Sequence, residues 1–424
     1  MDADYTKFIF RDKAVVPFGL SRISSRAFYR CSGLTSIEIP NSVTEIGDYA
    51  FFGCSGLTSI EIPNSVTEIG DYAFSGCSGL KSIDIPDSMT RIGKWAFFRC
   101  FGLTNIEIPN SVTEIGNGAF YECSGLTNIN ISNRVTIIGG GAFYCCSGLT
   151  SIEVPNSVTE IGNGAFSGCS GLTSIEIPNS VTKIGDWAFY RCSGLTSIEI
   201  PNSVTEIGDR AFRGCSGLTS IEIPDSVTKI GDRVFSFCEA LETILVHPSN
   251  PAYSSVDNCL LSSDLKTLVR GNKKSIIPNS VIEIGDSAFS GCSRLTSIEI
   301  PNNITRIGDD AFSGCSGLTS IEIPNSVTEI GDYAFSGCSG LTSIEIPNSV
   351  TIIGDQAFNK CLGLKEIRLH QEKPDAALSI VKSGLRFCWD LSQITLYTPI
   401  GTGYAYRHDD YFSQFKEIIP KLKQ

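Results

Sequence analysis

A chain of 424 residues with a formal net charge of −12 is repelled by the phosphates of nucleic acid and by an anionic membrane surface, which argues against both as partners. Hydrophobic residues make up 42% and charged residues 18%, enough apolar material to build a core and too little charge to favour disorder. No apolar run is long enough to cross a bilayer as a helix, and 17 cysteines, an odd number, cannot all pair within the chain.

Residues 1–26 read as an N-terminal cap and a first partial repeat. The opening MDADYTKFIFRDK has no apolar stretch of signal-peptide type, which by itself leaves a cytoplasmic location open. Residues 5–16 alternate like a strand that covers the first coil.

Residues 27–246 read as a regular array. Pro40, Pro63, Pro86 and Pro109 stand 23 residues apart, Ser132 fills the next position, and Pro155, Pro178, Pro201 and Pro224 continue the series. The commonest unit is L-T-S-I-E-I-P-N-S-V-T-E-I-G-D-Y-A-F-S-G-C-S-G. Residues 57–62 suit a short strand with one buried face. Pro63 has no N–H and stops the ladder, and Asn64 and Ser65 form a turn. Val66 and Ile69 return to the core as a second short strand. Gly70 is expected to turn the chain in a left-handed conformation. Ala73, Phe74 and Cys77 have the spacing of one helical or 3₁₀ turn.

Residues 247–277 read as a long repeat whose insert carries a β-hairpin jutting from the stack, with Ser262, Ser263 and Asp264 at its tip. Residues 278–397 resume the array at Pro278, Pro301, Pro324 and Pro347 and end in degenerate repeats through Leu385, Cys388, Leu391, Ile394 and Leu396. Residues 398–424 form a C-terminal cap, in which residues 404–415 can make a short helix sealed by Tyr and Phe.

Such units bury their apolar faces only by stacking, which aligns like residues about 4.8 Å apart. A phenylalanine recurs at every step from Phe28 through Phe74 and Phe97 to Phe358 and reads as the spine of the core. A cysteine column from Cys31 to Cys361 lacks the clustered spacing of a zinc site and reads as small buried hydrophobes. His247, His370 and His408 fall in separate coils. No nucleophile elbow, phosphate loop or HExxH motif occurs, so the chain is expected to be non-catalytic and to need no cofactor.

Two columns remain as candidate partner-binding residues. The first strand presents Glu38, Glu61, Asp84, Glu107, Glu153, Glu176, Glu199 and Glu222, continued by Glu299, Glu322 and Glu345. Like charges side by side on a sheet are unfavourable, so this strip is expected either to be screened by solvent or to attract a basic partner, with weak divalent-cation binding possible there. The position after the core phenylalanine holds Tyr29, Phe52, Phe98, Tyr121, Tyr144 and Tyr190 in the first half and mostly serine in the second. Trp95 and Trp187, with Tyr49, Tyr72 and Tyr333, occupy a neighbouring variable slot. Because serine serves in the first of these positions as well, it is expected not to need burial. The N-terminal half is therefore expected to carry the more adhesive flank.

The pattern L-x-x-I-x-I-P-x-S-V-x-x-I-G-x-x-A-F-x-x-C, almost unbroken from Leu34 to Leu364, resembles the BspA-like leucine-rich repeats of bacterial cell-surface proteins. The resemblance implies a curved, right-handed, β-rich solenoid with a β-sheet on its concave face and short strands and 3₁₀ or helical turns elsewhere. It also implies a secreted or cell-surface protein that adheres to host or neighbouring-cell proteins. The alternative on the sequence is a structural repeat scaffold that associates with itself.

Overall fold

The computed structural model describes residues 9–371 and 391–422; Leu385 and Cys388 lie outside them. The chain forms two compact units, one of Met1–Leu218 with Lys229–Val234 and the other of Thr219–Thr228 with Phe235–Gln424. Each is a β-solenoid in which every coil lies directly on the next.

The zero offset between coils is visible in the strand register. Ser151–Glu153 pairs in parallel with Ser174–Glu176, so that Ser151 faces Ser174, Ile152 faces Ile175 and Glu153 faces Glu176. In these strands the isoleucine is buried and its two neighbours are exposed, the alternation that a half-buried strand requires. The second strands build separate parallel sheets, one of three strands from Arg22–Ile23 to Glu68–Ile69 and one of seven from Arg91–Ile92 to Lys229–Ile230 in the first unit.

Inside, Phe74 and Phe97 stack with ring centroids 5.5 Å apart and planes 5° from parallel. Similar pairs run without a break from Phe28 to Phe212 and again from Phe289 to Phe358, at 5.0–5.5 Å. Leu80, Ile83, Met89, Ile92 and Ala96 fill the space around this column and are buried.

The segment expected as a helical or 3₁₀ turn is neither. Ala73, Ser75 and Cys77 donate their N–H groups to the residue three back, Gly70, Tyr72 and Phe74. The intervening Tyr72, Phe74 and Gly76 donate instead to Lys94, Ala96 and Phe98 of the next coil. Two left-handed residues per coil, Tyr72 at φ 59° and Gly76 at φ 74°, break helical continuity and aim alternate N–H groups along the stack.

Gly70 is not one of them. A Cβ there would lie 2.6 Å from the backbone nitrogen of Asp48 and 2.8 Å from the carbonyl carbon of Gly47. Glycine is needed for close approach between coils rather than for a positive φ.

The repeated polar residues bond the coils together. The Asp71 N–H donates to Asp48 Oδ1 at 2.8 Å, and the Ser65 hydroxyl to the Val43 carbonyl at 2.6 Å. Thr44 Oγ1 donates to the Ser21 carbonyl at 3.0 Å. The buried Cys77 thiol donates to the Phe51 carbonyl at 3.2 Å, one of a row of such bonds. All the described cysteines are free thiols.

At the N-terminus, Ile9–Phe10 and Lys13–Val15 form a tight antiparallel pair rather than one strand, and Lys13–Val15 pairs in parallel with Ser36–Glu38. The insert does not jut out. Cys259–Ser262 and Thr267–Arg270 form the expected hairpin, but Thr267–Arg270 also pairs in parallel with Glu283–Ile284, so the hairpin is part of the sheet of the second unit. Cys259, Leu260 and Leu261 are all buried. Near the C-terminus a helix spans Gly403–Arg407 and a 3₁₀ turn spans Phe412–Gln414. Tyr406, Phe412 and Phe415 are buried there while Tyr404 stays exposed.

Removal of one ring breaks two stacking contacts and leaves a cavity. Phe120→Ala is expected to destabilise the protein by about 3–5 kcal/mol in denaturant unfolding. Tyr121→Ser, which installs the residue that Ser75 and Ser167 already provide at that position, is expected to cost less than about 1.5 kcal/mol.

Burial raises the Cys54 and Cys361 thiols from an ordinary 9.0 to about 12. The folded state therefore holds these protons more tightly than the unfolded chain. Their contribution to stability is complete below pH 9.0 and is lost as pH rises towards 12. Unfolding curves taken across that window should show a steeper loss of stability for the parent than for a Cys54→Ala, Cys361→Ala variant.

Candidate functional site

Among the described residues, two sets of side chains stand apart from the packing and the bonds between coils. The first is the acidic strip. Every member from Glu38 to Glu222, and Glu299, Glu322 and Glu345 in the second unit, points outward and is exposed. The second-strand sheets balance much of their charge: Lys229 lies 2.6 Å and Lys183 3.7 Å from Glu206, and Arg306 lies between Glu283 and Glu329 at 2.5 and 3.2 Å. On the first-strand face of the first unit, by contrast, Glu153 lies directly beside Glu176.

This face is shallowly grooved. One groove of about 640 Å³ is lined by Asn128, Asn130, Ser151, Glu153, Ser174 and Glu176. In the second unit another, of about 830 Å³, includes Glu322, Glu345, Arg368 and His370, with His370 Nε2 2.7 Å from Glu345. Its carboxylates lie in single file. Among the described residues no three His, Cys, Asp or Glu side chains gather as a metal site, so weak cation binding on the strip has no chelating cluster behind it.

The second set is the aromatic flank of the first unit. Tyr29 stacks on Phe52 at 5.0 Å, Tyr49 on Tyr72 at 4.8 Å, and Tyr72 on Trp95 at 6.1 Å. Trp95 then meets Tyr121 at 5.0 Å, and Tyr121 stacks on Tyr144 at 4.2 Å. Tyr29 is 39% exposed, and the rest are half-buried. Further along, Trp187 meets Tyr190 edge-on at 4.9 Å. The rings thus form a ribbon across neighbouring coils. Where serine takes the position after the core phenylalanine it is buried at Ser75, Ser167, Ser236 and Ser290 and half-buried at Ser313 and Ser336. The position thus need not be buried, as Ser313, Ser336 and Tyr29 illustrate, although a small side chain there is covered in several coils.

The sequence reading missed two features here. One is the backbone: Tyr49, Tyr72, Trp95 and Trp187 all have positive φ, between 56° and 60°. The slot is filled without strain by Gly118, Gly141 and Gly164, whereas a side chain in this conformation costs about 1–2 kcal/mol. The other is arginine. Arg26 lies over Tyr29 and Tyr49, Arg99 over Phe98, and Arg210 over Trp187 at 4.7 Å. The signal was present in the sequence, because Arg26, Arg210 and Arg233 recur in the same slot as Tyr49 and Trp95.

A family profile described as a BspA type leucine rich repeat region matches residues 21–148, 136–259 and 270–397. The chain belongs to this family of BspA-type leucine-rich-repeat proteins. Similar solved structures include a leucine-rich repeat protein from Bacteroides ovatus, 32% identical over 88% of this chain and 90% of that one, with a TM-score of 0.56. A leucine-rich cell surface protein from Faecalibacterium prausnitzii is 28% identical over 96% of this chain and 90% of its own, with a TM-score of 0.51. The pneumococcal vaccine antigen PcpA, 19% identical over 84% of this chain and 92% of its own with a TM-score of 0.55, shares the fold. A search of the curated proteins found no match. No helix among the described residues of this BspA-type chain is long and apolar enough to cross a membrane.

Returning the left-handed slot to glycine should release strain and forfeit one stack, two effects of similar size. Tyr49→Gly is expected to change stability by no more than about 1 kcal/mol, whereas Leu57→Ala at the start of the next coil should cost about 2–5 kcal/mol; thermal unfolding of the two variants measures both.

Proposed function

We propose that this chain is a non-catalytic, adhesin-like module displayed at a cell surface, which binds a protein through the aromatic ribbon that runs from Tyr29 to Tyr144. The observation that carries this reading is the placement of Tyr49, Tyr72 and Trp95 at positive φ in a slot that glycine fills freely elsewhere in the same array. The fold gains little from these rings, because coils without them keep the same backbone. Tyr and Trp are the side chains that dominate protein–protein contacts, and rings already held in a stack lose little freedom on binding. The surface location is supported by membership of the family and by the printed description of the Faecalibacterium relative as a cell surface protein.

The acidic face offers a second contact area of opposite character. Unpaired rim charges act mainly on the rate and salt dependence of association.

The test uses the full chain immobilised on a sensor, probed with purified extracellular-matrix proteins and with intact host and bacterial cells. A protein that binds should lose about tenfold or more in affinity to the Tyr49→Gly, Tyr72→Gly, Trp95→Gly variant. Glu153→Gln, Glu176→Gln and Glu199→Gln together should alter the association rate and its dependence on salt. Full binding by the triple glycine variant would overturn the assignment of the ribbon, and a chain that binds none of these surfaces would overturn the adhesin reading itself.

A further inference from the structure

The far end of the same flank differs in chemistry from the ribbon. Over three successive coils, Arg191, Arg210, Arg213 and Arg233 gather around Trp187 and Tyr190. Arg210 lies over the Trp187 ring at 4.7 Å, and Arg191 and Arg213 lie over Tyr190 at 5.1 and 5.9 Å. Arg191 is exposed and the other arginines are half-buried. Partial burial, and then the positive charges of Arg210, Arg233 and Arg191, hold the Arg213 pKa below its ordinary value. These cations therefore sense one another within a protein whose net charge is −12.

Two nearby acids also serve the backbone of the next coil. Asp186 Oδ1 accepts the Asp209 N–H at 2.9 Å, and Asp209 Oδ1 accepts the Asp232 N–H at 3.0 Å. The Nε atom of Arg210 is buried with no hydrogen-bond partner. Arg99 offers a contrast from the same slot as Arg191: it pairs with Glu122 of the following coil at 2.8 Å, while the residue after Arg191 in that series is Gly214, whose Cβ position faces the Arg191 side chain.

The geometry points to a binding site for an anionic polysaccharide, one that carries sulfate or carboxylate groups, on the flank formed by Arg191, Arg210, Arg213 and Arg233. Guanidinium groups held over rings present planar forks that match such oxyanions. The ring faces that bases would stack on are taken by arginines, which disfavours a nucleic acid. An extended acidic peptide places its same-face carboxylates about 6.6 Å apart, out of step with coils stacked about 4.8 Å apart, whereas a pyranose unit is close to one coil in length. The half-exposed edges of Trp187 and Tyr190 add apolar contact for the sugar body. The site is separate from the protein-binding ribbon and does not depend on it.

The experiment titrates the full chain with a heparin oligosaccharide, with polyglutamate of equal charge and with single-stranded DNA, by calorimetry at physiological salt. The oligosaccharide is expected to bind more tightly than either of the others. Arg191→Gly, Arg210→Gly and Arg233→Gly together should weaken it about tenfold or more. This variant keeps its fold by design, because Gly168, Gly214 and Gly164 already occupy the same slots in other coils; a melting temperature matching the parent checks that. Arg134→Ala, a change outside the flank, should leave affinity unchanged. Equal binding of polyglutamate or DNA, unaltered affinity of the triple variant, or no binding of the oligosaccharide would each overturn the assignment.

Discussion

The structure depends on backbone hydrogen bonds that run along the stack with no offset between coils. The Phe74 N–H reaches the Ala96 carbonyl at 2.8 Å, and the same bond recurs at Phe97 with Ala119 and at Phe120 with Ala142. Because each residue bonds its own counterpart or a near neighbour of it, every side chain lies over its equal. That single constraint makes a phenylalanine into a column, a cysteine into a row of thiol donors, and an aspartate into a chain of caps on the next coil's N–H. It also determines which repeats are harmful. A stacked ring or a Thr hydroxyl ladder stabilises, whereas a carboxylate over a carboxylate repels. A repeated feature that repels, or that strains the backbone, is consequently the more informative about selection for contact.

On that criterion the two surfaces separate cleanly from the scaffold. The aspartates at positions such as Asp48 and Asp186 look acidic in sequence but serve as backbone acceptors. The glutamates of the first strand do not, and they line grooves on an exposed face. Likewise the core phenylalanines are fully buried, while the rings beside them lie at the surface in a conformation that favours glycine. The buried thiols carry no such signal: each described cysteine of the column from Cys54 to Cys361 is enclosed, and burial raises rather than lowers the proton affinity wherever a shift is seen, the reverse of what a reactive cysteine needs.

Much of this was legible in the amino-acid sequence, because the period is strict. The order of strands, the phenylalanine column, the outward strip and the aromatic positions all follow from which residue recurs where. What was not legible concerns conformation and local charge. A recurring tyrosine signals aromatic contact and hides a left-handed backbone, so Gly70 drew the expectation of a positive φ that belongs to Tyr72. Leu260, Leu261, Leu268 and Val269 in the insert signalled a hairpin but not that Thr267–Arg270 would pair with Glu283–Ile284, since sheet edges are set by tertiary contact. The cluster of arginines near Trp187 was hidden by an overall charge of the opposite sign, because net charge sums over faces that never meet.

The left-handed flank slot has a wider consequence. Its backbone is held by neighbours on either side, and Gly, Tyr, Trp, Arg, Ser, Asp and Gln all occupy it without altering the coil. The outer surface can thus be rewritten one position at a time, like characters on a fixed line of type, while the interior that sustains folding stays the same. A lineage that must meet changing neighbours could alter what it displays through single substitutions, with no need to rediscover a stable architecture each time.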